Sequence, residues 1–120
     1  MNDILIVDDE DGIRETLSDI ITLKTNHICE MSNDGLDAIE KTRKTRYNFI
    51  LMDIRMPGMD GIDAYERMIR DRPRTNVVLM TGTDISSLSG RLPAGARVMT
   101  KPIDIPSLLR LIDDSTNERR

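Results

Sequence analysis

Three uninterrupted apolar runs, Ile4 to Val7, Phe49 to Met52 and Val77 to Met80, punctuate a chain that is otherwise mixed and polar. Short runs without alternation suit strands buried on both faces of a parallel sheet. His27 to Met31 and Arg97 to Thr100 are weaker strand candidates. Between the runs, apolar residues recur at helical spacing: Ile13, Leu17, Ile20 and Ile21 share one face, as do Leu36, Ile39 and Thr42, and later Ile62, Tyr65 and Ile69. Alternating strands and helices predict right-handed βαβ crossovers and a doubly wound α/β sheet with helices on both faces.

The last helix is expected to begin near Pro106, since proline is tolerated in a first helical turn, and to bury Ile105, Leu108, Leu109 and Ile112. Residues 113–120 read as a polar tail or the start of a linker. The segment DISSLSGRLPAGA, where a fourth helix belongs, contains Gly90 and Pro93. An interior proline costs a helix about 3 kcal/mol, so a short helix or a loop is expected there.

A length of 120 residues fits one domain, 1–120. With 17 Lys+Arg against 21 Asp+Glu and a net charge of -4, direct nucleic-acid binding and attraction to an acidic membrane are not expected. Cys29 is the sole cysteine, which excludes an internal disulfide. The sequence MNDILIVDDE does not read as a signal peptide and no apolar run is long enough for a membrane span, so a cytoplasmic location is expected. Basic residues gather at Lys41, Arg43, Lys44 and Arg46, and again at Arg67, Arg70, Arg72 and Arg74. They read as solvated helix ends, with partner docking the alternative.

Residues that can carry chemistry collect where the strands end. Asp8, Asp9 and Glu10 follow the first run, Asp53 the third, Thr81 and Gly82 the fourth, and Lys101 with Pro102 the fifth candidate. Ligands of an open α/β sheet sit outside the carboxyl ends of its strands, so segments far apart in sequence can converge. Neighbouring carboxylates repel by about 4 kcal/mol per pair at 4 Å and an effective dielectric of 20, which calls for a cation. Mg2+ suits an all-oxygen set, whereas a lone His27 and a lone Cys29 argue against zinc. The alternative for Asp8-Asp9-Glu10 is helix capping, with Asp11 or a neighbour accepting from free N–H groups.

Asp53 ends a strand as apolar as FILM and needs a partner by charge or hydrogen bond; Pro57 and Gly58 then favour a turn, and Asp60 reads as the next helix cap. Lys101 could pair with a carboxylate or phosphate oxygen, and the bond before Pro102 is of the kind that can be cis. The Thr81 hydroxyl could donate to a phosphoryl oxygen while Gly82 admits close backbone approach. Read separately, these are a strand threonine and a surface lysine.

Taken together, LIVDDE, LMDIRMPGMDG, VVLMTG and TKP, in that order, resemble the receiver domain of bacterial two-component response regulators, over about Ile4 to Ile112. The resemblance implies a flavodoxin-like sheet of strand order 2-1-3-4-5 and a phosphorylation-dependent signalling switch. It implies that Asp53 accepts a phosphoryl group from a sensor histidine kinase or a phosphotransfer protein, and that an output domain or protein effector reads the result. It further implies Mg2+ held by Asp9 and Asp53, by Asp8 through water and by the Arg55 backbone carbonyl, with Thr81 and the Gly82 backbone contacting the phosphoryl group and Lys101 pairing with it. A homodimer is possible in such a family. One departure stands out: Val98 occupies the position, three before the lysine, where receivers commonly carry a switching aromatic ring. Two other readings compete, a magnesium-dependent phosphohydrolase for small molecules and a receiver-like scaffold that works unphosphorylated.

Overall fold

Each of the five strand candidates forms a strand; the short apolar runs are buried in the middle of the sheet, where neighbouring strands satisfy their backbone away from water. The computed structural model describes residues 2–82, 85–88 and 90–118. In chain order they form β1 (Asn2–Val7), α1 (Asp11–Lys24), β2 (Ile28–Ser32), α2 (Gly35–Lys44), β3 (Phe49–Asp53), α3 (Gly61–Asp71), β4 (Val77–Thr81), a single 3-10 turn (Ile85–Leu88), β5 (Arg97–Thr100) and α4 (Ile105–Glu118). All pairings are parallel and the sheet order is β2-β1-β3-β4-β5, as expected.

Alternate residues of each central strand point to opposite faces, so the apolar runs divide into two cores. Leu5, Val7, Ile50, Met52 and Leu79 pack with Ile39 of α2 and with Ile62 and Met68 of α3. Ile4, Ile6, Phe49, Leu51, Val78 and Met80 pack with Leu17 and Ile21 of α1 and Leu108 and Ile112 of α4. This flavodoxin-like arrangement leaves every strand ending on one edge.

Three expectations need correction. Leu36 is 61 % exposed, and the buried face of α2 is instead Gly35, Ala38, Ile39 and Thr42. The reason is close packing: the position a Cβ on Gly35 would take lies 3.4 Å from the Ala64 Cβ and 3.1 Å from the Met59 carbonyl oxygen, so small residues set the contact with α3. Second, α4 does not give way to a polar tail at residue 113 but continues to Glu118. Ser115 is buried there, donating to the Leu111 carbonyl at 2.7 Å and accepting from Asn76 Nδ2 at 2.5 Å, which ties the late turns to the segment entering β4. Residues 119 and 120 of the expected tail lie outside the described residues. Third, Asp11 is no cap: Glu10 holds the N-cap position of α1 without a side-chain cap bond.

The segment after β4 is, as expected, short of a helix. Its described part is the 3-10 turn and a loop in which Leu88, Leu92 and Ala96 pack beside Val98 against the α2/α3-side core. Thr83, Asp84 and Ser89 of that segment lie outside the described residues.

Candidate functional site

Parallel register places the ends of β1, β3, β4 and β5 side by side. Val7 is opposite Met52, Asp53 opposite Met80, and Thr81 opposite Thr100. The residue that follows or ends each strand therefore faces one shallow basin at the carboxyl edge of the sheet. Asp8, Asp9 and Asp53 each bring a carboxylate oxygen to within 4.8 Å of the others. Asp8 and Asp53 are buried and Asp9 is exposed.

Lys101 reaches into this cluster from the end of β5. Its Nζ lies 3.2 Å from Asp8 Oδ2 and 3.3 Å from Asp53 Oδ2, bridging carboxylates from two strands. Its own amide donates to the Thr81 carbonyl at 2.8 Å, and the following bond to Pro102 is cis. Burial works against the Lys101 ammonium, but attraction to Asp53 and Asp8 outweighs it and raises the lysine pKa above its ordinary value. Burial above all, and then repulsion from Asp8, pushes the Asp53 pKa upward; Lys101 and the backbone amide of Arg55 pull it part of the way back.

The loops around the basin are built to hold these groups. Asp8 Oδ1 accepts from the Glu10 amide at 3.0 Å, which leaves Oδ2 for Lys101. Arg14 donates to the Asp8 carbonyl at 2.7 Å and to Asp11 Oδ1 at 2.5 Å, folding the first turn of α1 back onto the β1 end. Gly61 matters more than sequence inspection suggested. A Cβ there would stand 2.2 Å from the Asp53 carbonyl oxygen and 2.8 Å from the Ile54 Cα, and its amide donates to the Ile54 carbonyl at 2.8 Å. Glycine is thus what lets α3 start directly on the backbone that carries Asp53. Gly58, with φ +77, makes the intervening turn, and Asp60 caps α3 by accepting from the Asp63 amide.

Of the sequence-predicted residues, the carboxylates of Asp8, Asp9 and Asp53 are brought together, with Lys101 against Asp8 and Asp53. Thr81 is buried at the end of β4 between them and the β5 end. Arg55 is exposed, its backbone next to the Asp53 carboxylate. Gly82 is exposed and a Cβ on it would meet no atom within 4 Å, so internal packing does not demand glycine there. In the sequence Gly61 reads only as opening the next helix together with Asp60, which does not reveal its contact with the Asp53 backbone, and Arg14 carries no signal at all.

The molecule is thus a doubly wound parallel α/β domain with an acid-and-lysine cluster at the carboxyl edge of its sheet. The family described as "Response regulator receiver domain" matches residues 4–113, and the chain belongs to that family. Among curated relatives, the regulatory protein AtoC of Escherichia coli is 38 % identical over 110 residues, 90 % of this chain and 24 % of AtoC. The response regulator GacA of Pseudomonas syringae is 32 % identical over 115 residues, 91 % of this chain and 52 % of GacA. The chain thus spans about a quarter to a half of the curated relatives it matches. Among solved structures, a two-component transcriptional regulator AraC from Clostridium phytofermentans superposes with TM-score 0.83 at 30 % identity, covering 98 % of this chain and 94 % of that one. The response regulator TrrA of Thermotoga maritima, solved in complex with Mg(2+)-BeF, shares the fold at TM-score 0.82 and 24 % identity, covering 96 % of this chain and 99 % of that one.

Proposed function

We propose that this receiver is a phosphorylation switch in which Asp53 is the acceptor. The observation that carries the reading is Lys101, whose ammonium stands within 3.3 Å of carboxylates from two different strands, beside a buried threonine at the end of a third. An Asp53 carboxylate oxygen attacks phosphorus, the bond from phosphorus to the donor nitrogen or oxygen breaks, and the leaving group departs with its electron pair. Lys101 neutralises charge on the transferring group, and Thr81 and the amide of Gly82 orient its oxygens. The Asp8, Asp9 and Asp53 carboxylates form a hard, all-oxygen donor set of the kind Mg2+ takes, so together with the Arg55 carbonyl they would hold that ion. When bound it would supply charge neutralisation at the phosphoryl oxygens.

The TrrA complex carries Mg2+ and a beryllofluoride, which supports the same pairing of ion and phosphoryl group here. A sensor histidine kinase or phosphotransfer protein is the fitting donor. An output domain or protein effector is the fitting reader, since the longer curated relatives include regulatory proteins. The receiver of NtrC4 is a dimer in its beryllofluoride-activated form, and a homodimer on activation fits this chain as well. No helix among the described residues is long and apolar enough to cross a membrane, and a cytoplasmic site of action fits this reading.

Acetyl phosphate labelled on phosphorus tests the proposal. With Mg2+ it should label the protein at about one phosphoryl group per chain, acid-stable and base-labile, and Asp53→Asn should abolish the label. Label retained in Asp53→Asn, or sustained turnover of assorted phosphate esters, would overturn it.

A further inference from the structure

At the opposite edge of the sheet from Asp53, the loops leaving α2 and α3 enclose a hollow of about 400 Å3. Its inner wall is apolar: Tyr47 and Ile50 are buried, and Pro73 closes one side. Tyr47 is fixed in place by a hydrogen bond from its hydroxyl to Glu30 of β2. Its mouth is basic, with Arg46, Arg72 and Arg74 in the lining against one acid, Asp71. Asp71 is already engaged, its Oδ2 accepting from Arg43 Nε at 3.1 Å. Arg72 is held over the opening by donating to the Arg43 carbonyl at 3.0 Å.

We infer that this hollow binds a small organic anion, a flat apolar body bearing one carboxylate or phosphate, with the ring over Pro73 and the charge on the arginines. Size agrees, since small-molecule sites run from about 300 to 1,000 Å3. Charge agrees too, because a domain of net charge -4 places three guanidinium groups around one concavity. Attraction of cations to helix carboxyl ends accounts for Arg43, Lys44 and Arg70, which lie in the last turns of α2 and α3. It does not account for Arg46 and Arg74, which lie beyond those ends, whereas Arg72 ends α3 and donates to a last-turn carbonyl of α2. Two of the three threonine hydroxyls in the lining are engaged within the chain, Thr42 donating to the Ile39 carbonyl and Thr75 to the Arg72 carbonyl. Arginine is the group suited to recognise the ligand, by paired N–H donors matched to a carboxylate or phosphate.

Amide chemical shifts of the full chain, titrated with benzoate and with phenyl phosphate in EDTA, test the inference; benzylamine and benzyl alcohol are the comparison probes. Both anions should give saturable shifts confined to residues 45–48 and 71–75, with Asp9 and Gly82 unmoved and benzylamine inert. Arg46→Glu with Arg74→Glu, both exposed positions, should weaken the anions about tenfold or more, the size expected when a rim of charge is reversed. Arg67→Glu, outside the hollow, should leave binding unchanged. Absence of saturable shifts, equal binding of benzylamine or benzyl alcohol, or an affinity indifferent to the double reversal would each overturn it. A phosphate monoester ligand is indicated if phenyl phosphate binds more tightly than benzoate, a carboxylate if the order reverses.

Discussion

At the scale of single residues, the basin is organised around one unfavourable placement. Asp53 is an acid buried beside another acid, and its pKa lies above the ordinary carboxylate value because burial and Asp8 disfavour its charged form. A group whose folded pKa is raised lends stability below its unfolded pKa, near 3.9, and that stability is lost as pH rises through the folded value. Ionised Asp53 is therefore a net liability in metal-free protein at pH 7. Asp53→Asn should stabilise the chain in EDTA at pH 7 by an amount of order 1 kcal/mol, and the gain should vanish below about pH 4. Mg2+ should reverse the ranking, since an ion bound only to the folded state adds about 2.7 kcal/mol at a hundredfold excess over its Kd, and the variant lacks a ligand. Urea unfolding at two pH values, with EDTA or Mg2+, measures all four corners. A variant less stable than wild type in EDTA at pH 7 would show that the Lys101 pair outweighs the burial of Asp53.

The element scale explains what could be seen in the sequence and what could not. β1, β3 and β4 were legible because strands buried on both faces have to be apolar at every position, and a parallel sheet then puts Asp8, Asp53, Thr81 and Lys101 on one edge without further information. Helix α2 was misjudged for a related reason. Hydrophobic periodicity weights Leu36 heavily and Gly35 and Ala38 hardly at all, whereas the contact with α3 is made by small side chains that allow close approach. The end of α4 was hidden because Ser115 is buried through polar bonds to Asn76 and Leu111, which no apolar pattern reports. Gly61 belongs with these. Its requirement comes from the Asp53 carbonyl, eight positions earlier, so Gly61→Ala should force α3 away from β3. Overpacking of this kind costs about 1–3 kcal/mol, and with backbone as the obstacle the upper end is expected. Thermal unfolding gives the stability, and labelling by acetyl phosphate should fall along with it because the displaced backbone carries the acceptor. Labelling at the wild-type rate in a destabilised Gly61→Ala protein would separate the helix contact from the placement of Asp53.

For the whole molecule, the question is how a change at one edge of the sheet reaches a surface. The ring that commonly swings in this family is replaced by Val98, a half-buried side chain with little to swing, and a regular fourth helix is replaced by a 3-10 turn and loop. Among its described residues, Leu88 and Leu92 pack on the core beside Val98, and Arg91 Nη2 lies 2.8 Å from Asp60 Oδ2. Asp60 also caps α3, which begins on the backbone of Asp53, so one carboxylate touches both the loop and the first turn of the helix that starts at the acceptor's strand end. An exposed ion pair is weak and salt-sensitive, which makes it a contact that can be exchanged between states, not a fixed strut. Segment ordering is then the expected response to phosphate, with the loop changing its protection as a unit. Amide exchange over residues 85–88 and 90–96 should differ between free protein and protein with Mg2+ and beryllofluoride, while exchange in β1 and β3 stays fixed. Arg91→Ala should speed exchange of the loop in the free protein by no more than a few-fold, as befits an exposed pair. It should also narrow the difference that beryllofluoride makes. Identical protection of the loop with and without beryllofluoride would mean that the signal leaves by another face.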